Sequence, residues 1–365
     1  MPRSRTTPRS ITLPKWLPRG LVVVLLVGGC CVGALGGGNV RTTRASAGTS
    51  TGADADVGVG KQAGGAKGAA VEPLWVDPRS SAARQALEWR AVGRGADAAL
   101  MDRIASRPQA EWVTGASPRA TVQAVTTTAA RAGRTAVLVA YDVPGRDCGQ
   151  YSGGGALTAS NYRTWVDEFA AGLGDRSAYV IVEPDAVAQV VAGCAQVVAK
   201  DRYALLAYAV ERIKRQPHAR VYLDAGNSGW IPEPARLVEA LRAAGVGQAD
   251  GFALNVSNFQ TDQASSAYGD ALSKALGGKH YVVDTSRNGN GPYTSTDPAA
   301  DAESWCNPPG RALGTPPTTV TGHPRLDAHL WIKRPGESDG TCRGGPAAGQ
   351  WWPSYALELA RNARQ

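Results

Sequence analysis

From Leu74 onward the chain alternates two apolar patterns. Ala-rich stretches with apolar positions three or four apart cover about 81–105, 118–132, 160–173, 201–215, 235–244, 265–277 and 354–363. That is the period of an amphipathic helix. Between them lie short β-branched runs: Ala136–Ala140, Tyr179–Val182, Val221–Leu223, Gly251–Leu254, His280–Val283 and Leu330–Ile332, with Trp112-Val113 as a further one. Apolar runs bounded by turn residues and separated by helices predict parallel strands buried on both faces. Seven or eight such units fit one closed or nearly closed α/β barrel, for which the roughly 290 residues available suffice. The alternative is a doubly wound open sheet, but no GxGxxG follows an early strand. Neither a second domain nor an internal repeat is visible.

The first 73 residues follow neither pattern. Residues 1–47 begin with Arg3, Arg5, Arg9, Lys15 and Arg19 and carry no acid. The apolar run Leu21–Val27 and the small-residue site Ala45-Ser46-Ala47 complete the layout of an export signal. The run is shorter than the ~20 residues a membrane span needs. Val27-Gly28-Gly29-Cys30 resembles a lipobox, so a lipid on Cys30 is the rival to plain secretion, and an uncleaved N-terminal anchor is the third option. Residues 48–73 are Gly, Ala, Ser, Thr and Asp with isolated Lys, which reads as a flexible linker before a domain at 74–365.

Setting the leader aside changes the charge picture. Of 39 basic residues, seven lie in 1–47, leaving 32 against 31 acidic ones. The remaining net charge of +1 gives no electrostatic case for nucleic acid and suits a neutral polymer better. Beyond the leader there are four cysteines, Cys148, Cys194, Cys306 and Cys342, with no CxxC and only four His in the chain. That disfavours zinc and favours two disulfides in an oxidising compartment. Three connectivities are open. The sequential pairing, Cys148–Cys194 and Cys306–Cys342, is the expectation, because it tethers loops beside Asp147 and Asp339; each bridge closes a loop worth about 4 kcal/mol on the chain-entropy model.

The apolar runs share one further property: each ends in a polar cluster. These are Tyr141–Cys148, Glu183-Pro184-Asp185, Asp224–Asn227, Asn255–Asn258, Asp284–Asn288 and Lys333–Asp339. Helix capping explains any one of them. Six in succession point to a common rim at the C-terminal ends of barrel strands, where such folds place their active sites.

Together YDVPGRDC, VEPDA, LDAGNSGW, NVSNF, DTSRNGNGP and WIKRPGESDG resemble glycoside hydrolase family 6, the endoglucanases and cellobiohydrolases, in order over the whole stretch from Leu74. The resemblance implies a distorted barrel of about seven parallel strands. It also implies hydrolysis of β-1,4-glucan with inversion and without metal or other cofactor. No nucleic-acid or protein partner is implied, and a monomer is expected. Inversion needs a protonated carboxyl for the leaving oxygen and a carboxylate, direct or through water, for the attacking water. By match to the family, Asp185 is the acid. Asp147 sustains its proton by like-charge coupling and connects to the water. Asp339 is the aspartate often proposed as base, and the choice between Asp339 and Asp147 through water stays open.

The same match puts Tyr141 beneath the distorted sugar, Asp224 near the acid, and Lys333 and Glu337 on sugar hydroxyls. Asn255, Asn258 and Arg287 complete the expected binding set. Trp112, Trp230 and Trp305 are the expected stacking platforms, since an apolar pyranose face lies flat on indole; ten Trp against three Phe favours carbohydrate contact. Two departures stand out. The family's usual DAGH reads Asp224-Ala225-Gly226-Asn227, and Tyr293–Glu303 is longer than in short endoglucanases. The short Gly340–Trp351 segment favours endo over exo action. A glucan-binding protein without catalysis is the competing class, against which all three aspartates are retained.

Overall fold

In the computed structural model residues 73–364 are described. The export leader, Cys30 and nearly all of the linker stretch lie outside them. Seven strands form one parallel sheet in sequential order: β1 Glu111–Val113, β2 Ala136–Ala140, β3 Ala178–Val182, β4 Ala219–Asp224, β5 Gly251–Leu254, β6 His280–Asp284 and β7 Leu326–Leu330. Unbroken order with helical crossovers curls the sheet instead of winding it in two directions. Side-chain alternation then separates two cores. Leu138, Val180, Val182, Val221, Leu223, Phe252 and Val283 pack outward against helices. Val137, Val139, Tyr179, Ile181, Tyr222, Ala253 and Val282 fill the barrel interior.

The outer helices are α1 Ser81–Ala91, α2 Gly95–Ala105, α3 Pro118–Arg131, α4 Ala159–Leu173, α5 Ala186–Val191, α6 Ala199–Lys214, α7 Ala235–Ala243, α8 Asp262–Ala275, α9 Pro298–Ala302 and α10 Pro353–Asn362. The ring is not closed by a strand ladder. Past the end of β7, Ala110 N–H donates to the Trp331 carbonyl (3.0 Å), and the Trp112 indole donates to Ile332 (2.8 Å). The outer edge of β7 carries one antiparallel bridge, in which Thr318 and His329 exchange backbone bonds of 2.9 and 3.0 Å.

Three sequence expectations need correction. The periodic stretch 81–105 is two helices, because Gly93 at φ +79° turns the chain and Arg94 N–H caps back to Trp89 O. The last strand is Leu326–Leu330, not Leu330–Ile332. Residues 331–333 are a buried loop: Ile332 and Lys333 give their N–H groups to the Asp284 carboxylate (3.3 and 2.9 Å) instead of a ladder. The short helices α5 and α9 are additions; α9 lies inside the long Tyr293–Glu303 segment.

Candidate active site

A groove of about 800 Å³ runs over the C-terminal ends of the strands. Its walls include every expected site residue except Asp224, Asn255 and Arg287. Those three lie beneath it, for reasons visible in their bonds.

Asp185 sits at the turn from β3 into α5 with φ +70°, and Glu183, two residues earlier, has φ +48°. Left-handed non-glycine backbone is strained and is kept only where its surroundings enforce it. Here Glu183, fully buried, takes N–H bonds from Asp142 (3.0 Å) and Val143 (3.1 Å) and the Tyr162 hydroxyl (2.9 Å). Asp185 N–H in turn donates to Asp224 Oδ2 (2.8 Å). The Asp185 carboxyl is half-buried on the groove floor. Burial, then the carboxylates of Asp224 and Asp147, push its pKa well above the ordinary value, against the opposing charge of Lys333. Asp224 is itself pushed up to about 7 by burial, despite backbone bonds from Asp185 and Gly226. Strand alternation at the end of β4 points it inward and down, so it underlies the acid and has no groove surface.

Asp339 is the electrostatic opposite. Arg287 Nη1 donates to its Oδ2 (2.8 Å), Lys333 Nζ faces Oδ1 (3.2 Å), and Asn307 N–H donates to Oδ2 (3.0 Å). Burial alone raises its pKa, but the charges of Arg287 and Lys333 and these bonds outweigh burial and hold the carboxyl below the usual range. Arg287 is fully buried behind it, stacked over the Phe259 ring at 4.4 Å, and so cannot touch a ligand in the groove. Asn255 is likewise spent internally, on Gln260 (3.1 and 2.9 Å) and the Asp284 carbonyl (2.8 Å).

The third carboxylate, Asp147, stands half-buried on a loop where Cys148 also has positive φ. Burial raises its pKa, opposed by a 2.6 Å bond from Ser152 N–H and by Arg146. The Cys148–Cys194 disulfide fastens that loop to the segment after α5, and Cys306–Cys342 fastens the neighbourhood of Asp339. The sequential pairing is the one present.

Aromatic surfaces complete the groove. Trp112 stands edge-on to Tyr141 (5.1 Å, 90°), and Trp305 lies against Tyr151 (6.0 Å). The Trp230 backbone is anchored by Asn227, whose Oδ1 accepts the Trp230 main-chain N–H (3.1 Å). Glu337 is oriented by Arg334 (3.0 Å), and Asn258 and Lys333 reach the wall directly. The sequence reading missed Tyr151, Gln189 and Asn307. Gln189, one turn after Asp185, was legible from that helical spacing. Tyr151 and Asn307 lie in irregular loops, where no period marks an inward side chain. A fixed anion, a raised-pKa carboxyl and aromatic platforms in one groove are suited to acid-assisted cleavage of a sugar chain.

Residues 69–363 match the family model described as Glycosyl hydrolases family 6. Endoglucanase A of Cellulomonas fimi is 47% identical over 295 residues, covering 80% of this chain and 61% of that protein. Endoglucanase A of Thermobispora bispora is 42% identical over 303 residues, covering 80% and 62%. The chain thus spans about three fifths of the length of these two relatives. Among solved structures, the endoglucanase Cel6 from Mycobacterium tuberculosis in complex with methyl-cellobiosyl-4-deoxy-4-thio-β-D-cellobioside superposes with a TM-score of 0.73. Its sequence is 46% identical, and the match covers 80% of this chain and 98% of that one.

Proposed function

Because the chain belongs to glycosyl hydrolases family 6, we propose that it is an endo-β-1,4-glucanase that hydrolyses cellulose-type glucan with inversion, in an oxidising, extracellular setting. The observation that carries the reading is the opposite surroundings of two carboxyls in one groove: burial beside Asp224 and Asp147 favours the protonated form of Asp185, whereas Arg287, Lys333 and the Asn307 N–H favour the ionised form of Asp339. Relatives named endoglucanases at 42–47% identity support endo action.

Glucose O4 is a poor leaving group and needs a proton as its bond breaks; Asp185 supplies it. Positive charge develops at the anomeric carbon, and the Asp339 carboxylate balances that charge and orients the attacking water. Its lowered pKa makes it a weak proton acceptor, so the water's proton passes on to Asp147, whose raised pKa suits the task. Asp224, beneath Asp185, keeps the acid's pKa high by repulsion. Tyr141 lies under the reacting sugar, with Trp112, Trp230 and Trp305 along the chain and Lys333, Glu337 and Asn258 on hydroxyls. Export through the N-terminal leader is part of the same proposal; the two disulfides fit it.

The test is carboxymethyl cellulose. Viscosity should fall well before reducing ends accumulate, and proton NMR of early product should show the α-anomer. Slow viscosity loss with steady cellobiose release would replace endo by exo action. An initial β-anomer would end the inverting reading.

A further inference from the structure

Two cations, Arg287 and Lys333, hold the Asp339 carboxylate, and the main chain that carries it needs an anchor of its own. Arg287 donates to Oδ2 (2.8 Å) and Lys333 faces Oδ1 (3.2 Å), but neither bonds the main chain of Asp339 itself. Hydrogen bonds to the backbone at residue 339, each with a defined direction, set where that carboxylate starts. Such contacts come from Asn307. Its backbone N–H donates to Asp339 Oδ2 (3.0 Å), and its side-chain Oδ1 accepts Asp339 N–H (2.8 Å). Its Nδ2 donates to Gly340 O (2.8 Å) and Ser338 Oγ (3.1 Å), on either side of residue 339. One residue therefore grips both the main chain and the carboxylate of Asp339.

The local backbone is arranged for this grip. Asn307 has φ +43° and is 3% exposed. The left-handed turn brings its N–H and its amide to the same side, and Asn is among the few side chains that accept that conformation readily. Joining of the two loops does not require it, because the adjacent Cys306–Cys342 disulfide already holds them with Cα atoms 6.3 Å apart. What Asn307 adds is direction at residue 339.

We propose that Asn307 is a positioning residue for the reaction, setting the orientation of the Asp339 carboxylate toward the attacking water; this rests on the catalytic reading of Asp339 above. The decisive variant is Asn307→Gly. It keeps the left-handed backbone and the N–H bond to Oδ2 while deleting the side-chain grip. Displacement of a reacting group by about 1 Å costs on the order of 10²-fold, so kcat on soluble cello-oligosaccharides should fall by about that factor. KM should stay within about twofold, because the groove walls are untouched.

A double-mutant cycle separates positioning from loop packing. In an Asp339→Asn background, Asn307→Gly should change the residual rate by less than about twofold. If Asn307→Gly gives no folded protein, Asn307→Asp takes its place in the cycle. It keeps the acceptor for Asp339 N–H but sets a second carboxylate beside Asp339, so its loss of kcat should likewise vanish with Asp339→Asn. Equal losses in both backgrounds, or a raised KM with unchanged kcat, would overturn the proposal. An Asp339→Asn variant with wild-type kcat would bring down the reading of Asp339 and this inference together. Lost activity in Asp339→Asn beside full activity in Asn307→Gly would remove only the role of Asn307.

Discussion

Glu183 allows burial and hydrogen bonding to be weighed against each other by experiment. It is fully buried under the Asp142–Val143 turn and accepts two backbone N–H bonds and one phenol. Those donors favour the carboxylate; burial favours the acid and prevails, pushing the pKa from 4.5 up to about 7. The proton has a partner in reach, since the Tyr162 hydroxyl can turn to accept it. A folded pKa above the unfolded one means that the folded state holds the proton more tightly. The stabilisation is therefore complete below the unfolded value and is lost as pH rises through about 7. The gap corresponds to about 3 kcal/mol at about 1.4 kcal/mol per pH unit. In Glu183→Gln the titrating group is gone. Urea unfolding of wild type and variant between pH 4 and pH 8 should give a stability difference that shifts against the wild type by about 3 kcal/mol across this window. Asp224 titrates in the same range but is common to both proteins and cancels to first order. A difference that is flat with pH would mean that Glu183 stays ionised and that the three donors, not burial, decide its state.

Other outcomes follow from the same geometry. Asp185→Ala should lose about 10²–10⁴-fold on cellulose but far less on cellobiosyl fluoride, whose leaving group needs no proton; equal losses on both would remove the acid role. Arg287→Met should leave the Asp339 charge with Lys333 alone and cost roughly 3–5 kcal/mol, measurable by urea denaturation, together with most of kcat. Cys306→Ser with Cys342→Ser should lower unfolding free energy by about 4 kcal/mol on the chain-entropy model, with the Cys148–Cys194 bridge intact by peptide mapping.

The barrel was legible because buried parallel strands announce themselves by composition: β2 and β5 coincide with the runs Ala136–Ala140 and Gly251–Leu254. The strand at 326–330 escaped because Asp327 and His329 interrupt its apolar character, while the more apolar Trp331-Ile332 beside it drew the assignment. Trp331 is apolar for another reason, its packing with Met101, Ile104 and Tyr355 between α2 and α10. In the site, motif position told which residues gather at the rim but not how deep each lies. Depth at Asp224, Asn255 and Arg287 depends on the neighbouring loop each side chain bonds to. Asn307 was invisible for a related reason. Its contribution comes from a backbone turn and from partners more than thirty residues away, and neither leaves a periodic trace.

The gap between β1 and β7 carries a hazard that most barrels avoid by closing. Any free sheet edge is a template onto which another chain can add a strand, and this sheet, unlike a closed barrel, keeps two edges. Here both edges are blunted. β1 is three residues long, too short to offer more than a bond or two, and its Trp112 indole and the Ala110 amide just before it are already spent on the far side of the gap. On β7 the Thr318 bridge occupies the outward N–H and C=O of His329. The seam thus lacks a strand ladder and is still too sparsely furnished to recruit a neighbour, which separates resistance to edge-to-edge aggregation from barrel closure.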